Sequence, residues 1–534
     1  MSSQRGENQR VGAEPYAYNA AQDLLQRNLA AQRAHKIAVI DEAGGHTFAD
    51  LAERVHRCAN ALSVAGLQPE QRIALVLLDT IDFPTCFLGA IAAGVVPIPL
   101  STMLQPADYA YVLRDSEASA VVVSDSLLPQ IEPAVRLAQW KGQIIVSGKG
   151  APSFACLSEL LRRASGVARF AATSSKDICF WLYSSGSTGK PKAAVHHQNS
   201  MAQTAELFAK GVLGLHETDV IYSAAKLFFA YGLGNALSFP LATGATSVLY
   251  SGRANAAAVC KILRTFRPTI FCGVPTLFAA LLACPDFPRR EELNLRLCVS
   301  AGEALPEQLG SNWTARTRVE IVDGIGSTEM LHIFISNRPG ACHYGTTGTL
   351  VPGYQAHLLD ENGRDVAPGE MGELLVSGPT AASCYWNNTE KTQSTFVGEW
   401  VKTGDRFRQT ADGDYVYCGR SDEMLKVSGI WVSPAEVESA LVAHDAVLEA
   451  AVVGVADEND LIKPKAFVVL KPGIVSKPQL EPDLKEFLKG RLAPYKCPRW
   501  IEFIDELPKT PTGKVRRNIL RLDAAAARQN TQGD

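Results

Sequence analysis

The stretch Tyr183-Ser-Ser-Gly-Ser-Thr-Gly-Lys-Pro-Lys192 directly follows a run of residues with the pattern of a buried strand. Its hydroxyl side chains and two glycines give a flexible backbone with exposed N–H donors, and its two lysines add positive charge. These groups suit the oxygens of a polyphosphate. The stretch is not a Walker loop, because Pro191 stands where that motif needs Ser or Thr. Taken alone, it also fits an ordinary Ser/Gly-rich surface loop.

Short apolar runs alternate with amphipathic segments on both sides of this stretch. Apolar strands separated by helices predict βαβ units, whose parallel sheets are covered on both faces. The predicted strands span residues 72–78, 120–123, 143–146, 178–183, 220–223, 246–250, 269–272, 295–299 and 320–323, with helices at 48–65 and 256–267. We therefore predict an α/β fold with a large N-terminal lobe of two layered βαβ subdomains.

The pattern changes near Gly353. Residues 354–418 carry shorter alternating strands with turn signals such as Asp412-Gly413. This pattern predicts an antiparallel subdomain, which we expect to be a small β-barrel within the N-terminal lobe.

A small α+β unit is predicted after Arg420. Its first helix has Ser433 as the N-cap, Pro434 at the first helical position and Glu436 completing a capping box. Further elements are predicted at 450–455 (strand), 465–470 (strand), 481–492 (helix) and 514–522 (basic helix). The predicted organisation is a polar N-terminal arm (1–30), an N-terminal domain (31–420) and a C-terminal domain (421–534).

Composition narrows the function classes. The 534 residues include 52 Lys and Arg against 55 Asp and Glu, a near-balance that argues against an electrostatic grip on nucleic acid or a membrane surface. The longest apolar stretch, residues 86–100, is interrupted by glycines and prolines and is too short to span a bilayer. Twelve scattered cysteines without a C-x-x-C pair are typical of buried thiols in a reducing compartment. We therefore expect a cytoplasmic protein.

Five stretches in order resemble the motifs of one family. The loop at 183–192 resembles the phosphate-binding signature of the adenylate-forming enzymes, which comprise acyl-CoA synthetases, non-ribosomal adenylation domains and luciferases. One small departure is Ala193, where the family often has glycine. The other matching stretches are Gly324-Ile-Gly-Ser-Thr-Glu329, Trp400-Val-Lys-Thr-Gly-Asp405, Gly419-Arg-Ser-Asp-Glu-Met-Leu-Lys426 and Pro508-Lys-Thr-Pro-Thr-Gly-Lys514.

The resemblance implies binding of ATP and Mg²⁺ in residues 31–420, the adenylation domain. Thr328 would contact the α-phosphate, and Glu329 would ligate Mg²⁺, which prefers carboxylate and phosphate oxygens. Asp405 and Arg420 would bind the ribose hydroxyls. The residues implied at the β- and γ-phosphates are Ser185, Gly186, Ser187, Thr188, Gly189 and Lys190. Those implied around the adenine are Ser300, Ala301, Gly302, Glu303, Asp323 and Gly324.

The resemblance also implies two half-reactions with coenzyme A as co-substrate. Asp422 would be the hinge about which the C-terminal domain rotates. Lys514 would stabilise charge during adenylation, and the residues lining the CoA tunnel afterwards would be Lys426, Ser428 and Gly429. Without the resemblance, Lys514 with Arg516, Arg517 and Arg521 is an ordinary basic helix face.

The acyl substrate is indicated by Phe228-Phe-Ala-Tyr-Gly-Leu-Gly-Asn235. Members that activate amino acids usually carry an aspartate here to pair the substrate ammonium, and this chain has Ala230 instead. The residues implied in a flat acyl pocket are Ala230, Tyr231, Gly326, His332 and Ile333. His332 alone fits an ordinary core histidine equally well.

This stretch, with Met330-Leu-His-Ile-Phe334 and Tyr385-Trp-Asn-Asn388, resembles bacterial benzoate–CoA ligases. The implied reaction converts benzoate, ATP and CoA to benzoyl-CoA, AMP and pyrophosphate. The alternatives are a substituted benzoate, another aryl acid or a medium-chain fatty acid, and a luciferase-type oxygenase shares all five motifs. From other classes, a P-loop kinase fails on the loop spacing and a serine hydrolase lacks G-x-S-x-G. We expect a monomer or homodimer.

Overall fold

The computed structural model describes residues 16–149, 153–184, 190–427, 430–457, 461–476, 478–509, 515–522 and 524 of the chain. Within this part, the chain forms two large sheets, an antiparallel sheet and a smaller C-terminal unit. The predicted α/β class is confirmed.

The first large sheet is entirely parallel, in the order β4-β3-β5-β6-β7. Two of its inner strands, residues 72–76 and 120–124, are rich in Val, Ile, Leu and Ala, as expected for strands buried on both faces. The elements of this region are α1 (Ala20–Ala30), β1 (Ile37–Asp41), β2 (Gly44–Thr47), α2 (Phe48–Val64), β3 (Arg72–Val76), α3 (Asp82–Ala92), β4 (Val96–Pro99), α4 (Pro106–Asp115), β5 (Ala120–Ser124), α5 (Leu128–Ala138), β6 (Gln143–Ser147), β7 (Ala155–Cys156) and α6 (Leu157–Arg163).

The second large sheet has nine strands in the order β16-β15-β14-β13-β12-β10-β11-β1-β2, parallel in its centre and antiparallel at both ends. The N-terminal hairpin β1–β2 completes one end of it. The elements that follow α6 are β8 (Ile178–Ser184), β9 (Lys192–His197), α7 (Ser200–Thr204), β10 (Val220–Ser223), α8 (Ala230–Leu233), α9 (Phe239–Thr243), β11 (Thr246–Val248), α10 (Ala256–Phe266), β12 (Ile270–Gly273), α11 (Pro275–Ala283), β13 (Leu297–Ser300), α12 (Glu307–Thr317), β14 (Ile321–Gly326), β15 (Ile333–Ser336) and β16 (Thr349–Leu350).

One predicted strand belongs to a different kind of sheet. Strand β8 pairs antiparallel with β9 in a two-stranded hairpin, so the prediction of a parallel strand at 178–183 is wrong. Only a few residues separate the two strands, and such a short connection permits antiparallel pairing but not a parallel crossover. The predicted phosphate loop is therefore the loop of this hairpin.

The antiparallel region is an open five-stranded sheet, in the order β17-β18-β20-β19 with β21 paired to β20. The expected small β-barrel is not closed, because no ladder among the described residues joins the outer strands to each other. One of the five strands has only two residues. The elements here are β17 (Gln355–Leu359), β18 (Met371–Ser377), α13 (Thr389–Thr395), β19 (Phe396–Val397), β20 (Trp400–Gln409) and β21 (Tyr415–Arg420).

The C-terminal unit begins with a short hairpin and contains a three-stranded sheet, β24-β25-β26. Ser433 caps its first helix by accepting from the N–H of Glu436 at 3.1 Å, but the capping box is incomplete. The carboxylate of Glu436 accepts instead from Lys496 at 2.7 Å. The elements are β22 (Leu425–Val427), β23 (Ile430–Val432), α14 (Pro434–Val442), β24 (Val447–Ala456), β25 (Ile462–Leu470), α15 (Leu480–Lys489) and β26 (Trp500–Phe503), and residues 517–522 are helical.

No helix in the described ranges combines the length and the apolar character needed to cross a membrane. All twelve cysteines fall within those ranges and are free thiols.

The amino edge of the nine-stranded sheet is held by an ion pair. Asp219, just before β10, accepts from Arg296 at 2.6 and 2.8 Å and from the Thr269 hydroxyl at 2.7 Å. Those two partners immediately precede β13 and β12. Burial opposes ionisation of Asp219, but these donors outweigh it and hold its pKa below the ordinary value. The carboxylate thus joins three strands at the edge opposite to their carboxyl ends.

We predict that Asp219→Asn lowers the free energy of unfolding by about 3 kcal/mol at pH 7, because it leaves the Arg296 guanidinium without its anion. Because the folded-state pKa of Asp219 is depressed, its contribution is present above the unfolded pKa and is lost as the pH falls through the folded value. Urea unfolding at pH 7 and pH 3 measures both effects.

The matched control is Glu217→Gln, which removes the exposed pair with Arg33 nearby and should change little. Equal unfolding midpoints for the two variants at pH 7 would contradict the assignment.

Candidate active site

A cleft of about 2100 Å³ opens at the carboxyl ends of the central strands of the nine-stranded sheet. The β8–β9 hairpin, the antiparallel sheet and the C-terminal unit complete its walls. A pocket for one small molecule occupies roughly 300–1000 Å³, so this cleft has room for a nucleotide and a second ligand. The predicted site residues that line it are Gly302, Glu303, Asp323, Gly324, Gly326, Thr328, Glu329, Asp405, Arg420 and Asp422.

The predicted phosphate loop lies outside the described residues, and this holds for Ser185, Gly186, Ser187, Thr188 and Gly189. Its two flanks are described. Ser184 ends β8 and Lys192 begins β9, and both line the cleft. The loop therefore starts and finishes at the cleft wall. Lys190 is exposed, with its Nζ 6.0 Å from the ring centre of Tyr111, and it does not belong to the cleft lining.

Glu329 lies in a contact of three side chains at the cleft wall. The Tyr385 hydroxyl donates to Glu329 Oε1 at 2.6 Å. Lys192 Nζ donates to the same hydroxyl at 2.5 Å and lies 3.5 Å from Glu329 Oε1. Burial opposes ionisation of Glu329, but the Lys192 charge and the Tyr385 hydroxyl outweigh it and hold the pKa of Glu329 below its ordinary value. Glu329 is therefore an anion at neutral pH.

The backbone that carries Glu329 is fixed by donors from two other parts of the chain. The carbonyls of residues 328–330 accept, in chain order, from His196 Nε2 at 2.9 Å, Ala382 N at 2.7 Å and Thr380 Oγ1 at 2.8 Å. The same turn forces Leu331 to a φ of +67°, a region that costs a non-glycine residue on the order of 1 kcal/mol. These hydrogen bonds and the burial of Leu331 hold the turn in this shape.

The residues predicted around the adenine lie at the ends of two adjacent strands. Ser300 ends β13 and pairs in register with Asp323 on β14, and both are buried. Burial raises the pKa of Asp323 to about 8, so its carboxyl group is mostly protonated at neutral pH. Ala301 is buried, and Gly302 has a φ of +95°, which turns the chain along the cleft.

The predicted ribose ligands lie opposite each other on two antiparallel strands. Asp405 on β20 pairs in register with Arg420 on β21, and Arg420 Nη1 donates to Asp405 Oδ1 at 3.3 Å and to the Thr403 carbonyl at 2.8 Å. A Cβ on Gly404 would lie 2.8 Å from Arg420 Nη2, so glycine is needed there for the guanidinium to approach. Asp422, the predicted hinge, is half-exposed with Oδ1 3.5 Å from Arg420 Nε.

The predicted acyl residues are brought together behind the Glu329 turn. The ring centres of Tyr231 and His332 are 5.6 Å apart, and Gly326 pairs with Ile333 across β14 and β15. Ala230 begins α8 and is half-buried. Of these five, only Gly326 reaches the cleft lining itself.

His332 lies among aromatic rings that the sequence did not indicate. Its ring centre is 4.5 Å from that of Phe239 and 5.3 Å from that of Phe208. Burial lowers the pKa of His332 to about 3, against a smaller opposing effect of the Tyr231 backbone, so the imidazole is neutral. A Cβ on Gly234 would lie 2.4 Å from the imidazole, so that position has no room for a side chain. The walls here are apolar and aromatic.

The predicted residues of the C-terminal unit are only partly described. Lys514, Ser428 and Gly429 lie outside the described residues, and for Lys426 only the backbone on β22 is described. Val515 and Arg516, directly after Lys514, line the cleft, whereas the described residues of the β22–β23 hairpin do not.

The basic helix face suggested by the sequence is not simply solvated. Arg517 is 20% exposed and donates to Glu423 at 3.0 Å and to Glu438 at 2.8 Å. It joins the segment after Lys514 to the chain just beyond the predicted hinge.

Sequence reasoning missed the roles of Lys192, Tyr385 and His196. Lys192 was visible as the second lysine of the phosphate stretch, and Tyr385 stood in a motif used only for resemblance. No sequence signal pointed to His196, because its contact with residue 328 spans 132 positions.

Comparisons with known proteins agree with this geometry. The profile described as AMP-binding enzyme matches residues 25–386, and that described as AMP-binding enzyme C-terminal domain matches residues 436–514. The chain is 56% identical to a benzoate–CoA ligase of Thauera aromatica, over 95% of this chain and 96% of that one. It is 49% identical to a 4-hydroxybenzoate–CoA/benzoate–CoA ligase of Rhodopseudomonas palustris, over 94% of each.

Among solved structures, a benzoate CoA ligase from Burkholderia xenovorans LB400 superposes with a TM-score of 0.89 at 51% identity. The match covers 94% of this chain and all of that one.

We predict that Tyr385→Phe weakens MgATP binding roughly tenfold, because Glu329 loses a hydrogen bond to its charged form and is no longer held beside Lys192. Calorimetric titration with MgATP measures the dissociation constant. The control is Tyr344→Phe, which removes a hydroxyl bonded to Thr314 and to the Ile321 N–H on another element. Unchanged MgATP affinity in Tyr385→Phe, or equal loss in both variants, would argue against the role of Tyr385.

Proposed function

The chain belongs to the AMP-binding enzyme family, and on that premise we propose that it is an ATP-dependent ligase that joins benzoate to coenzyme A. The observation that carries the proposal is Glu329, a buried carboxylate kept ionised at a cleft large enough for two ligands. The benzoate–CoA ligases at 49–56% identity support benzoate as the acid.

The proposed reaction has two steps, the first at the α-phosphorus of ATP and the second at the carboxyl carbon of benzoate. In the first, an oxygen of benzoate attacks the α-phosphorus of ATP, the bond to the β-phosphate breaks, and pyrophosphate leaves benzoyl-adenylate behind. In the second, the CoA thiol loses its proton and attacks the carbonyl carbon, and AMP leaves with the electron pair of the C–O bond. The products are benzoyl-CoA, AMP and pyrophosphate.

The nucleotide would lie along the carboxyl ends of β13 and β14. The adenine would pack beside Gly302 and Asp323, and the ribose diol would bond to Asp405, which Arg420 holds in place at 3.3 Å. Both reactants are anions, so cationic groups near the phosphates would lower the barrier by stabilising charge in the transition state. Lys192 is the described cation nearest to Glu329, and Lys190 and Lys514 are proposed to add to it.

The residues present fit a Mg²⁺ site. One ionised carboxylate with bound phosphates is a common protein contribution to Mg²⁺, which usually keeps several waters. Glu329 supplies that carboxylate, with Thr328 beside it for the α-phosphate. When bound, the ion would neutralise charge on the phosphate oxygens.

The acid pocket suits a planar ring. The rings of Tyr231, Phe208 and Phe239 lie around His332. We propose that these rings form the wall of the acid pocket and that the neutral imidazole of His332 donates to the substrate carboxylate. A substituted benzoate is the second candidate, since the Rhodopseudomonas palustris relative is named for 4-hydroxybenzoate as well. A medium-chain fatty acid or a luciferase-type oxidation has no such observation in its favour.

We propose that the C-terminal unit serves both steps by rotating about Asp422. Val515 and Arg516 line the cleft, and we propose that the neighbouring Lys514 acts there during adenylation. After rotation, the hairpin with Lys426, Ser428 and Gly429 would line the route of the thiol. The boundary near residue 420, the cytoplasmic location and a monomeric or homodimeric state remain predictions.

A substrate panel tests the proposed acid. Purified protein with MgATP, CoA and one acid at a time should release AMP with the highest kcat/KM for benzoate, because an aromatic-walled pocket favours a flat ring. Hydroxybenzoates should follow, and octanoate should be slow. A higher kcat/KM for octanoate would favour a medium-chain fatty acid as the substrate. If no aryl acid led to AMP release, the proposal that the protein is an aryl acid–CoA ligase would be wrong.

Lys514→Ala should lower the rate of benzoyl-adenylate formation about 10²–10³-fold, because a fixed cation is lost from the transition state. Thioesterification of supplied benzoyl-adenylate should be largely retained. The matched control is Lys509→Ala, a lysine of the same segment that pairs with Glu449 at 2.7 Å. Equal losses in both half-reactions would contradict a role confined to adenylation.

A further inference from the structure

We propose that His196 is a positioning residue for the first half-reaction, because it sets the orientation of the peptide that carries Thr328 and Glu329. This inference rests on the proposed function for the identity of the reaction, but its geometry is independent of the acid. It concerns a residue of β9 that does not line the cleft.

The first observation is the hydrogen bond. His196 Nε2 lies 2.9 Å from the carbonyl oxygen of Thr328, and a carbonyl oxygen can only accept. His196 is therefore protonated on Nε2. Its side chain is completely buried, and burial keeps the imidazole neutral at physiological pH, with a pKa of about 4. The donor is thus present over the whole pH range in which the protein works.

The second observation is the packing that holds the imidazole ring of His196 in place. Its ring stacks on Phe180 of β8 with centres 5.1 Å apart and planes 21° apart. Phe180 in turn packs against Phe87 of α3 at 5.5 Å. The donor is consequently held by the core on one side and meets the Thr328 carbonyl on the other.

The third observation is that β9 contacts the turn twice. Lys192 and His196 are four residues apart on one strand and so lie on the same face of it. Lys192 approaches the Glu329 carboxylate at 3.5 Å, while His196 holds the preceding carbonyl. The hairpin that ends in the phosphate loop is therefore joined to the turn at a side chain and at the backbone.

These contacts have a mechanistic consequence. A peptide group that rotates at residue 328 would turn the Thr328 side chain and displace the Glu329 carboxylate from the phosphates. Catalysis by fixed donors depends on such orientation, so misplacement of Thr328 and Glu329 lowers the rate and also weakens the binding of MgATP. His196 keeps the peptide from rotating and so fixes the position of the turn relative to the β8–β9 hairpin.

The test uses variants that separate the donor from the ring. His196→Phe keeps a stacking ring but has no N–H, and His196→Gln places an amide N–H near the former Nε2 but loses the ring. Phe180→Leu removes the stacking partner and leaves the donor intact. The measurements are single-turnover pyrophosphate release with benzoate, the MgATP-induced rise in unfolding temperature, and the unfolding temperature of each free variant.

We expect His196→Phe to lower the rate of pyrophosphate release roughly tenfold, the cost of one such hydrogen bond. His196→Gln should stay within threefold of the parent although it unfolds at a lower temperature than His196→Phe. Of these two variants, His196→Gln would then be the more active and the less stable. A residue that only stabilises the fold would instead make the less stable variant the less active one. If activity follows stability across the three variants, or if His196→Gln is as slow as His196→Phe, the inference is wrong.

The two proposals fail separately. If the parent protein releases no pyrophosphate with benzoate, the proposed substrate is wrong, and the MgATP-induced shift still reports on His196. A normal shift in His196→Phe would then overturn the role of His196 on its own.

Discussion

The contact of Lys192, Tyr385 and Glu329 joins three segments that are far apart in the chain, and the arrangement of the cleft depends on it. A carboxylate removed from water is costly to ionise, and here one ammonium group and one hydroxyl reverse that cost. The same three residues connect the β8–β9 hairpin, the turn after β14 and the loop after β18. One cluster therefore produces the ionised carboxylate that we propose for magnesium and fixes the cleft wall next to the predicted phosphate loop.

The two edges of the nine-stranded sheet have different roles. The amino edge contributes to stability, and the carboxyl edge lies beside the candidate active site. At the amino edge, Asp219 and Arg296 form an ion pair that joins neighbouring strands and faces no ligand cleft. At the carboxyl edge, Ser300 ends β13 and pairs with Asp323 of β14 beside the cleft, and Leu331 holds a costly backbone conformation. Parallel strands make this division natural, since all their carboxyl ends open on the same side.

The backbone of the Glu329 turn is as well determined as its side chain. Donors from His196, Ala382 and Thr380 fix three successive carbonyls, so the turn has little freedom to relax. A cluster of aromatic rings around His332 lies directly behind it, and we propose that the acid binds there. A rigid centre of this kind is compatible with a C-terminal unit that moves, because the groups which must stay in register all belong to the N-terminal lobe.

The sequence by itself determined the α/β class, the positions of many strands along the chain, the family and ten of the residues that line the cleft, because these follow from local hydrophobic periodicity and from motifs a few residues long. Local pattern also produced its errors. An apolar run at 178–183 does not reveal whether its partner strand is parallel. Alternation at 354–418 does not reveal whether a sheet closes into a barrel. The predicted capping box is incomplete because the Glu436 carboxylate binds Lys496 instead.

Only the tertiary structure decided what surrounds each functional group. It brought Lys192 and Tyr385 to Glu329, placed His196 under the Thr328 carbonyl and put Phe208 and Phe239 around His332. The surroundings also shift the pKa values of two carboxyl groups. Burial raises the pKa of Asp323, and the Lys192 charge lowers the pKa of Glu329. These properties arise from residues separated by tens to hundreds of positions, and a pairwise interaction through space leaves no signature in the local order of the chain.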